Sequence, residues 1–400
     1  MPFVETCRME ERVRMLSDYV SGHWSVSDLC RRYGVSRETF YAWRKRQMSG
    51  ADDWFVDRSH GTVSCPHRTP AALADQVIAL RQRFPHMGPR KLLALLQRQS
   101  AQTPWPAAST IGDILKRAGL VEVAKRRRRA LDQSRPFTEA TQANDEWSVD
   151  FKGWFRTRDQ QRIDPLTISD SYSRFLIDVR IAPQTIEGVR PVFEEAFRTH
   201  GLPFAIRCDN GSPFGSHGAG GLTRLSTWWI KLGIEAHFIA PASPQENGRH
   251  ERMHRTLKAQ TSKPPADNAG QQQVRFDAFR QHYNEERPHE ALGQRPPADL
   301  YRPCQPRAMP ERLDDPWYDA DHQVRRVRDS GEIKWKGGRL FVSEALAGEL
   351  VGLSELENGD HVVRFCNRDI GLIGLDGRFR RFAPPRPPRP MRHQAAHTTE

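Results

Sequence analysis

Cysteine is scarce in this chain, and long apolar runs are missing altogether. The six cysteines, Cys7, Cys30, Cys65, Cys208, Cys304 and Cys366, are scattered over 400 residues. None forms a C-x-x-C pair, so neither a zinc ribbon nor a dithiol redox centre is expected. Scattered thiols fit a reducing compartment. No apolar run approaches the roughly 18 residues that suggest a membrane span. The opening residues carry Glu5, Glu10 and Glu11 and no apolar signal-peptide core. A cytoplasmic protein, meeting the chromosome there, is expected. Negative charge is also in deficit. The 61 basic residues outnumber 49 acidic ones, for a net +12 and a pI near 9.7. That excess favours a polyanionic partner, nucleic acid above all. The length argues against a single core and for several domains.

Two helical units lead the chain. Over residues 8–46, Met15, Leu16, Tyr19 and Val20 repeat at helical spacing. Ser27 is the expected cap of a short helix, Gly34 the turn, and Ser36 the cap of a following helix through Arg46. Phe40 and Trp43 would face inward, leaving Arg37, Tyr41, Arg44 and Lys45 outward. That layout predicts a helix-turn-helix over 1–50, with its last helix available to the major groove of double-stranded DNA. A second unit is expected over 66–121. Leu73, Val77 and Leu80 form one stripe, and Leu92, Leu93, Leu95 and Leu96 another, with Gly88-Pro89 between them. Ser109 is its expected cap and Gly119 its close. A basic linker, 122–135, follows. Its Lys125, Arg126, Arg127, Arg128 and Arg129 suit phosphate contact without reading bases.

From about 136 to 302 the pattern becomes mixed α/β. Trp147, Val149 and Phe151 alternate with Ser148, Asp150 and Lys152, as in a half-buried strand. Strands are also expected at 166–168, 175–181, 204–208 and 234–239. The residues Val189, Val192, Phe193, Ala196 and Phe197 describe an amphipathic helix. Further helices are expected over 222–232, after Gly248, and over 271–286. The order βββαβαβαα is that of ribonuclease-H-like folds with a mixed sheet. Three stretches in this region each deliver one acid: Asp150 mid-strand, Asp209 at a strand end before Asn210-Gly211, and Glu251 early in a helix. Arg255 and Lys258 share the Glu251 face, four and seven residues on. Carboxylates without a Cys or His cluster suit oxygen-seeking divalent cations. Asp170 and Asp178 are expected to be structural.

At these residues the chain resembles the DDE transposases of bacterial insertion sequences, whose catalytic core is of the retroviral-integrase type. The matching pieces are Trp147-x-x-Asp150, Asp209-Asn210-Gly211-Ser212-x-Phe214 and Pro244-Gln245-x-Asn247-Gly248-x-x-Glu251-Arg252. The segment Tyr283 to Leu292, with Pro297 and Tyr301, resembles the end of many such cores. The resemblance spans roughly 10–302. It implies that Asp150, Asp209 and Glu251 are catalytic and hold two Mg²⁺ or Mn²⁺ ions. It also implies DNA cleavage at an element end, followed by attack of the freed 3′-hydroxyl on target DNA. A homo-oligomer on DNA and contacts from Arg255 and Lys258 to element-end DNA are further implications. One departure is the 41 residues between Asp209 and Glu251, a longer spacing than the family's usual one. The glycine-rich stretch 215–221 looks like an inserted loop that absorbs the surplus. Glu246 is the rival third acid. A catalytically inactive DNA-binding regulator and a ribonuclease-H-like nuclease are the competing readings.

Residues 322–382 alternate in strand fashion, with a Gly337-Gly338 turn and an Asp376-Gly377 turn. A small β-barrel is expected there, carrying Arg325, Arg326, Arg328, Lys334, Lys336, Arg378, Arg380 and Arg381. The tail, 383–400, is rich in Pro, Arg and His, and disorder is expected.

Overall fold

The computed structural model describes residues 7–57, 68–121, 140–239, 248–303 and 306–382. The basic run Lys125 to Arg129, the rival acid Glu246, and the tail lie outside the described residues, as do Cys65 and Cys304. The chain divides between Thr69 and Pro70 into two units.

The first unit holds α1 (Arg8–Val20), α2 (Val26–Tyr33) and α3 (Arg37–Met48) around Met15, Leu16, Leu29 and Phe40. The cap of α2 is Ser25, not the expected Ser27. Ser25 has the extended backbone that a cap needs, and its side chain accepts from the Asp28 N–H at 3.2 Å. Ser27 lies inside the helix and accepts instead from the Arg37 guanidinium. Gly34 closes α2 at φ 62°, where only glycine is unstrained. Ser36 caps α3 as expected. Arg37, Tyr41 and Lys45 are exposed on α3, while Arg44 turns back over the Tyr19 ring at 4.6 Å.

The second unit opens with α4 (Ala71–Arg83), α5 (Pro89–Gln99) and α6 (Ala108–Arg117). Val77, Leu80, Leu92, Leu95, Leu96, Ile111, Ile114 and Leu115 form their common core. The expected cap Ser109 is the second residue of α6. The helix starts as soon as Pro106 is passed, with Ala107 as a cap that has no side-chain bond to offer. Three ion pairs tie this bundle to the end of the α/β region: Arg83–Glu286 at 3.6 Å, Arg90–Glu290 at 3.0 Å and Arg98–Asp299 at 2.7 Å.

The α/β region comprises β1 (Glu146–Phe151), a short hairpin of β2 (Phe155–Arg156) and β3 (Arg162–Ile163), then β4 (Pro165–Asp170) and β5 (Leu176–Ile181). Next come α7 (Ile186–His200), β6 (Ala205–Cys208), α8 (Arg224–Lys231), β7 (Glu235–Phe238), α9 (Gly248–Thr261) and α10 (Ala269–Glu285). The sheet order is β5-β4-β1-β6-β7. The pairs β5–β4 and β4–β1 are antiparallel, and β1–β6 and β6–β7 are parallel. Helices α7 and α8 cover one face through Trp147, Val149, Phe193, Phe197 and Trp229. Helices α9 and α10 cover the other through Val179, Met253, Leu257, Phe276 and Phe279.

Beyond residue 306 lie β8 (His322–Arg326), the hairpin β9 (Glu332–Trp335) and β10 (Gly338–Phe341), then β11 (Leu350–Glu355), β12 (His361–Phe365), β13 (Arg368–Ile373) and β14 (Phe379–Arg381). The expected barrel is not formed. The strands make an open antiparallel sheet, β14-β13-β12-β11-β8, with the β9–β10 hairpin separate. Closure would require β14 to bond β8, and these stand at opposite edges. The core of this region is shared with the α/β region: Ala219, Leu222 and Ile230 pack with Ile333, Val351, Val363 and Phe365. The Gly220 N–H donates to the Phe382 carbonyl at 3.1 Å. The glycine-rich stretch is therefore a buried seat for the carboxy-terminal sheet rather than a free surface loop.

Candidate active site

The sheet face under α9 gathers the titratable residues. Along β1, Trp147 and Val149 point into the α7–α8 layer, so Glu146, Ser148 and Asp150 point the other way, toward α9. Ser148 pairs with Arg207 in the parallel β1–β6 ladder. The ladder ends at that pair; continued two residues along each strand, the same register would set Asp150 level with Asp209. Asp209 follows the last residue of β6, where the Gly211 N–H turns back to its carboxylate at 3.3 Å. The neighbouring Asn210 side-chain amide donates to the Ile239 carbonyl, tying this turn to the end of β7. Burial raises the Asp209 pKa, and the Gly211 N–H opposes that rise. The Cys208 thiol is pushed well up by its full burial and by the adjacent Asp209, with a contribution from Asp150. A negative field thus accumulates at the carboxyl ends of β1 and β6.

Helix α9 faces these strands through two histidines that none of the sequence motifs singles out. Thr167, opposite Asp150 on β4, donates its hydroxyl to the Asp150 carbonyl at 2.9 Å. The same hydroxyl lies 2.6 Å from His250 Nε2 and 2.8 Å from His254 Nε2. His254 Nδ1 stands 3.9 Å from an Asp150 carboxylate oxygen. Both rings are held neutral. Burial depresses His250 far below the usual histidine range, and burial with the nearby Lys152 takes His254 to about 3. The one signal for them in the sequence is their spacing of four, one helical turn, bracketing Glu251.

Glu251 is exposed in the first turn of α9, three residues before His254. Arg255 and Lys258 are exposed on the following turns. Lys258 lies close enough to Lys152 to depress its pKa, after burial, the larger cause. Helix α9 thus approaches Asp150 through His254 and Lys152 through Lys258. The three acids are not drawn tightly together. Among the described residues, the acidic group whose ligand atoms all lie within 4.8 Å of one another is Asp319, Asp321 and His322, where β8 begins. Asp150, Asp209 and Glu251 each offer carboxylate oxygens, the donor type that suits hard divalent cations.

Next to this set runs a buried ion pair. Arg207 donates to both carboxylate oxygens of Glu146, through Nε at 3.0 Å and through Nη2. His237 of β7 reaches the same carboxylate at 3.2 Å and is raised above the usual histidine value, chiefly by that hydrogen bond. Asp170 and Asp178 are structural as expected. Asp170 accepts from the Asn144 and Ser173 N–H groups, and Asp178 pairs with Arg180.

Comparison with known proteins bears on the domains of the chain. Residues 140–244 and 232–297 match family models described as integrase core domain, and residues 11–47 match a helix-turn-helix domain. A 39.2 kDa protein of insertion element IS476 from Xanthomonas euvesicatoria is 26% identical over 298 residues, covering 73% of this chain and 76% of that one. A 31.7 kDa protein of insertion element IS407 from Burkholderia multivorans is 25% identical over 239 residues, 59% of this chain and 82% of that one. Among solved structures, the HTLV-2 integrase catalytic core domain in complex with magnesium overlaps 40% of this chain and 99% of its own, at TM-score 0.32 and 15% identity. The simian T-cell lymphotropic virus intasome with PP2A regulatory subunit B56 gamma overlaps 78% and 100%, at TM-score 0.37 and 14% identity. Both superpositions are loose, and the fold stands instead on the strand order and the matched domains. The chain carries an integrase-type core behind a helix-turn-helix domain and resembles insertion-sequence transposases.

Proposed function

We propose that this chain, with its integrase-type core and helix-turn-helix domain, is a DDE-type transposase. It binds the ends of its element as double-stranded DNA, cuts there, and joins the freed 3′-hydroxyl to target DNA. The observation that supports this best is the register of β1 and β6. Its ladder, Glu146 to Ser148 against Ala205 to Arg207, runs toward Asp150 and Asp209 at the carboxyl ends of the two strands, and α9, which carries Glu251, brings His254 up to Asp150. Asp150, Asp209 and Glu251 would hold two Mg²⁺ or Mn²⁺ ions, which supply activation of the attacking oxygen and neutralisation of the leaving one. The chain's own side chains position and charge the site. Neutral His254 lies against the Asp150 carboxylate and limits its rotation. Lys152, Arg255 and Lys258 hold phosphates of the strand that reacts. Arg37, Tyr41, Arg44 and Lys45 of α3 contact the element end, and Lys125, Arg126, Arg127, Arg128 and Arg129 add sequence-independent phosphate contacts. Two element ends require two such sites, so the working form is a homo-oligomer on DNA.

The test is strand cleavage of an end-containing duplex in Mg²⁺. Asp150→Asn, Asp209→Asn and Glu251→Gln should each lower the rate by more than about 100-fold while duplex binding persists. Each change keeps the shape and removes one metal-binding charge. A near-wild-type rate in any one variant removes that residue from the set, and loss in Glu246→Gln would transfer the third role. Wild-type protein that binds ends and never cuts them would establish the inactive regulator instead.

A further inference from the structure

Helix α9 carries His250-Glu251-Arg252-Met253-His254, two histidines four apart around a glutamate. On a helix this spacing puts both rings on one face, as in zinc-binding helices. Here the space between the rings is already filled. Both Nε2 atoms converge on one oxygen, the Thr167 hydroxyl, at 2.6 Å from His250 and 2.8 Å from His254. The rings stand edge to face, with centroids 4.6 Å apart. A metal held by the two Nε2 atoms would have to displace that hydroxyl, so the Nε2 pair is spent.

The proton balance around Thr167 fixes what the other ring nitrogens can do. A hydroxyl has one proton and two lone pairs. The proton goes to the Asp150 carbonyl at 2.9 Å. The lone pairs are left for the two Nε2 atoms, so each ring must donate there. A neutral imidazole has one N–H, which makes each Nδ1 an acceptor. Burial keeps both rings neutral. The Ser169 hydroxyl lies 3.3 Å from His250 Nδ1 and can donate to it. His254 Nδ1 instead faces an Asp150 carboxylate oxygen at 3.9 Å. That gap is too long for a hydrogen bond, and an ionised carboxylate has no proton to give. A lone pair and an anionic oxygen thus confront each other in a largely buried place, the His254 side chain being 12% exposed. Their separation is less than twice a metal–ligand bond length of about 2.1 Å, so one ion can touch both atoms.

We propose that His254 is a metal ligand, its Nδ1 joining the Asp150 carboxylate on one divalent ion. Thr167 is then a positioning residue. Its hydroxyl holds the His254 Nε2–H and so fixes the tautomer that turns a lone pair toward Asp150. One nitrogen among the oxygen donors tilts the site away from Mg²⁺, which prefers oxygen, toward a first-row transition ion such as Mn²⁺. Identifying this ion with one that cuts DNA rests on the proposed transposase reading; the nitrogen–carboxylate pair itself does not.

The experiment adds Mn²⁺ to the full chain and records its electron spin echo, on which a directly bound imidazole nitrogen imprints a nitrogen modulation. The wild type should show that modulation, and His254→Gln should lose it. Asp319, Asp321 and His322 form a second place where Mn²⁺ can meet an imidazole. His322→Gln is therefore the control and should keep the modulation. Thermal melting verifies that each variant folds. If His254→Gln does not melt cooperatively, Asp150→Asn takes its place and should lose the modulation as well. A wild type without nitrogen modulation overturns the inference, as does modulation kept in folded His254→Gln or lost in His322→Gln. Cleavage of end-containing DNA separates this result from the transposase reading. Nitrogen-bound Mn²⁺ in a protein that never cuts DNA removes that reading and leaves the His254 ligand standing. Cleavage by a wild type that shows no modulation does the reverse.

Discussion

The core sheet and the carboxy-terminal sheet have five strands each, but they bury their side chains differently. In β1, β4 and β5 the first four residues are buried in succession, because helices cover both faces. In β12, buried and half-buried residues alternate, as they do when one face is left open. The consequence is electrostatic. A polar group on the doubly covered sheet needs a partner, since water is excluded and charge interactions are strong there. Glu146 has Arg207 and His237; Asp170 has backbone N–H groups. The open sheet can display arginine to solvent at little cost. A site that must concentrate negative charge therefore belongs on the first sheet, and a broad cationic surface on the second.

The largest contrast should come from matched ion pairs. Arg207→Ala would leave the buried Glu146 carboxylate with His237 as its remaining charged partner and should destabilise the chain by ~3 kcal/mol. Arg364→Ala breaks the half-exposed pair with Asp369 and should cost below about 1 kcal/mol. Denaturant titration of both variants reads the difference. Equal losses would mean that the two sheets are not electrostatically distinct.

Apolar truncation sharpens the comparison in another way. Leu257 in α9 and Leu353 in β11 are both fully buried. Either one changed to Ala should cost ~2–5 kcal/mol. Only Leu257→Ala, which loosens the helix carrying Glu251, should also reduce cleavage by variant molecules that remain folded. If Leu353→Ala reduced cleavage equally, the carboxy-terminal sheet would be part of the catalytic machinery.

The smallest effect expected is a pH dependence. His237 has a raised pKa in the folded chain, so its bond to Glu146 contributes stability that is complete below the unfolded value of ~6.5. That contribution is lost as pH rises through the higher, folded value. The melting difference between wild type and His237→Gln should accordingly be greatest at about pH 5.5 and shrink above neutrality. A difference that grew with pH would refute the Glu146–His237 interaction.

Much of this architecture is legible in the order of the residues. Val189, Val192, Phe193, Ala196 and Phe197 announce α7 because helical periodicity is a local property. The alternation around Asp150 announces β1 for the same reason. The β2–β3 hairpin escapes such a reading, since strands of two residues are too short to show a period. Ser27 misleads as a cap because Ser25 two residues earlier satisfies the same pattern, and Ser109 misleads because α6 begins at Ala108 behind a cap, Ala107, that has no side-chain acceptor; only the backbone angles decide. The barrel expectation fails for a related reason. Alternation predicts strands, and nothing in it states whether the first and last will bond.

By itself, the sequence determined that Asp150 lies in a strand, Asp209 ends one and Glu251 begins a helix. It determined too that the surface is cationic and the first unit helix-turn-helix in form. These are consequences of residue type and near-neighbour spacing. The tertiary structure alone decided that β1 pairs with β6 in parallel with Ser148 against Arg207, that His250 and His254 pack on Thr167, and that Arg207 closes on Glu146. It likewise decided that a glycine-rich stretch becomes the seat of a distant sheet. Each of these joins segments far apart in the chain. Such pairings are selected by the joint burial of whole faces and by the need to satisfy every polar group left inside, a condition that no local window contains.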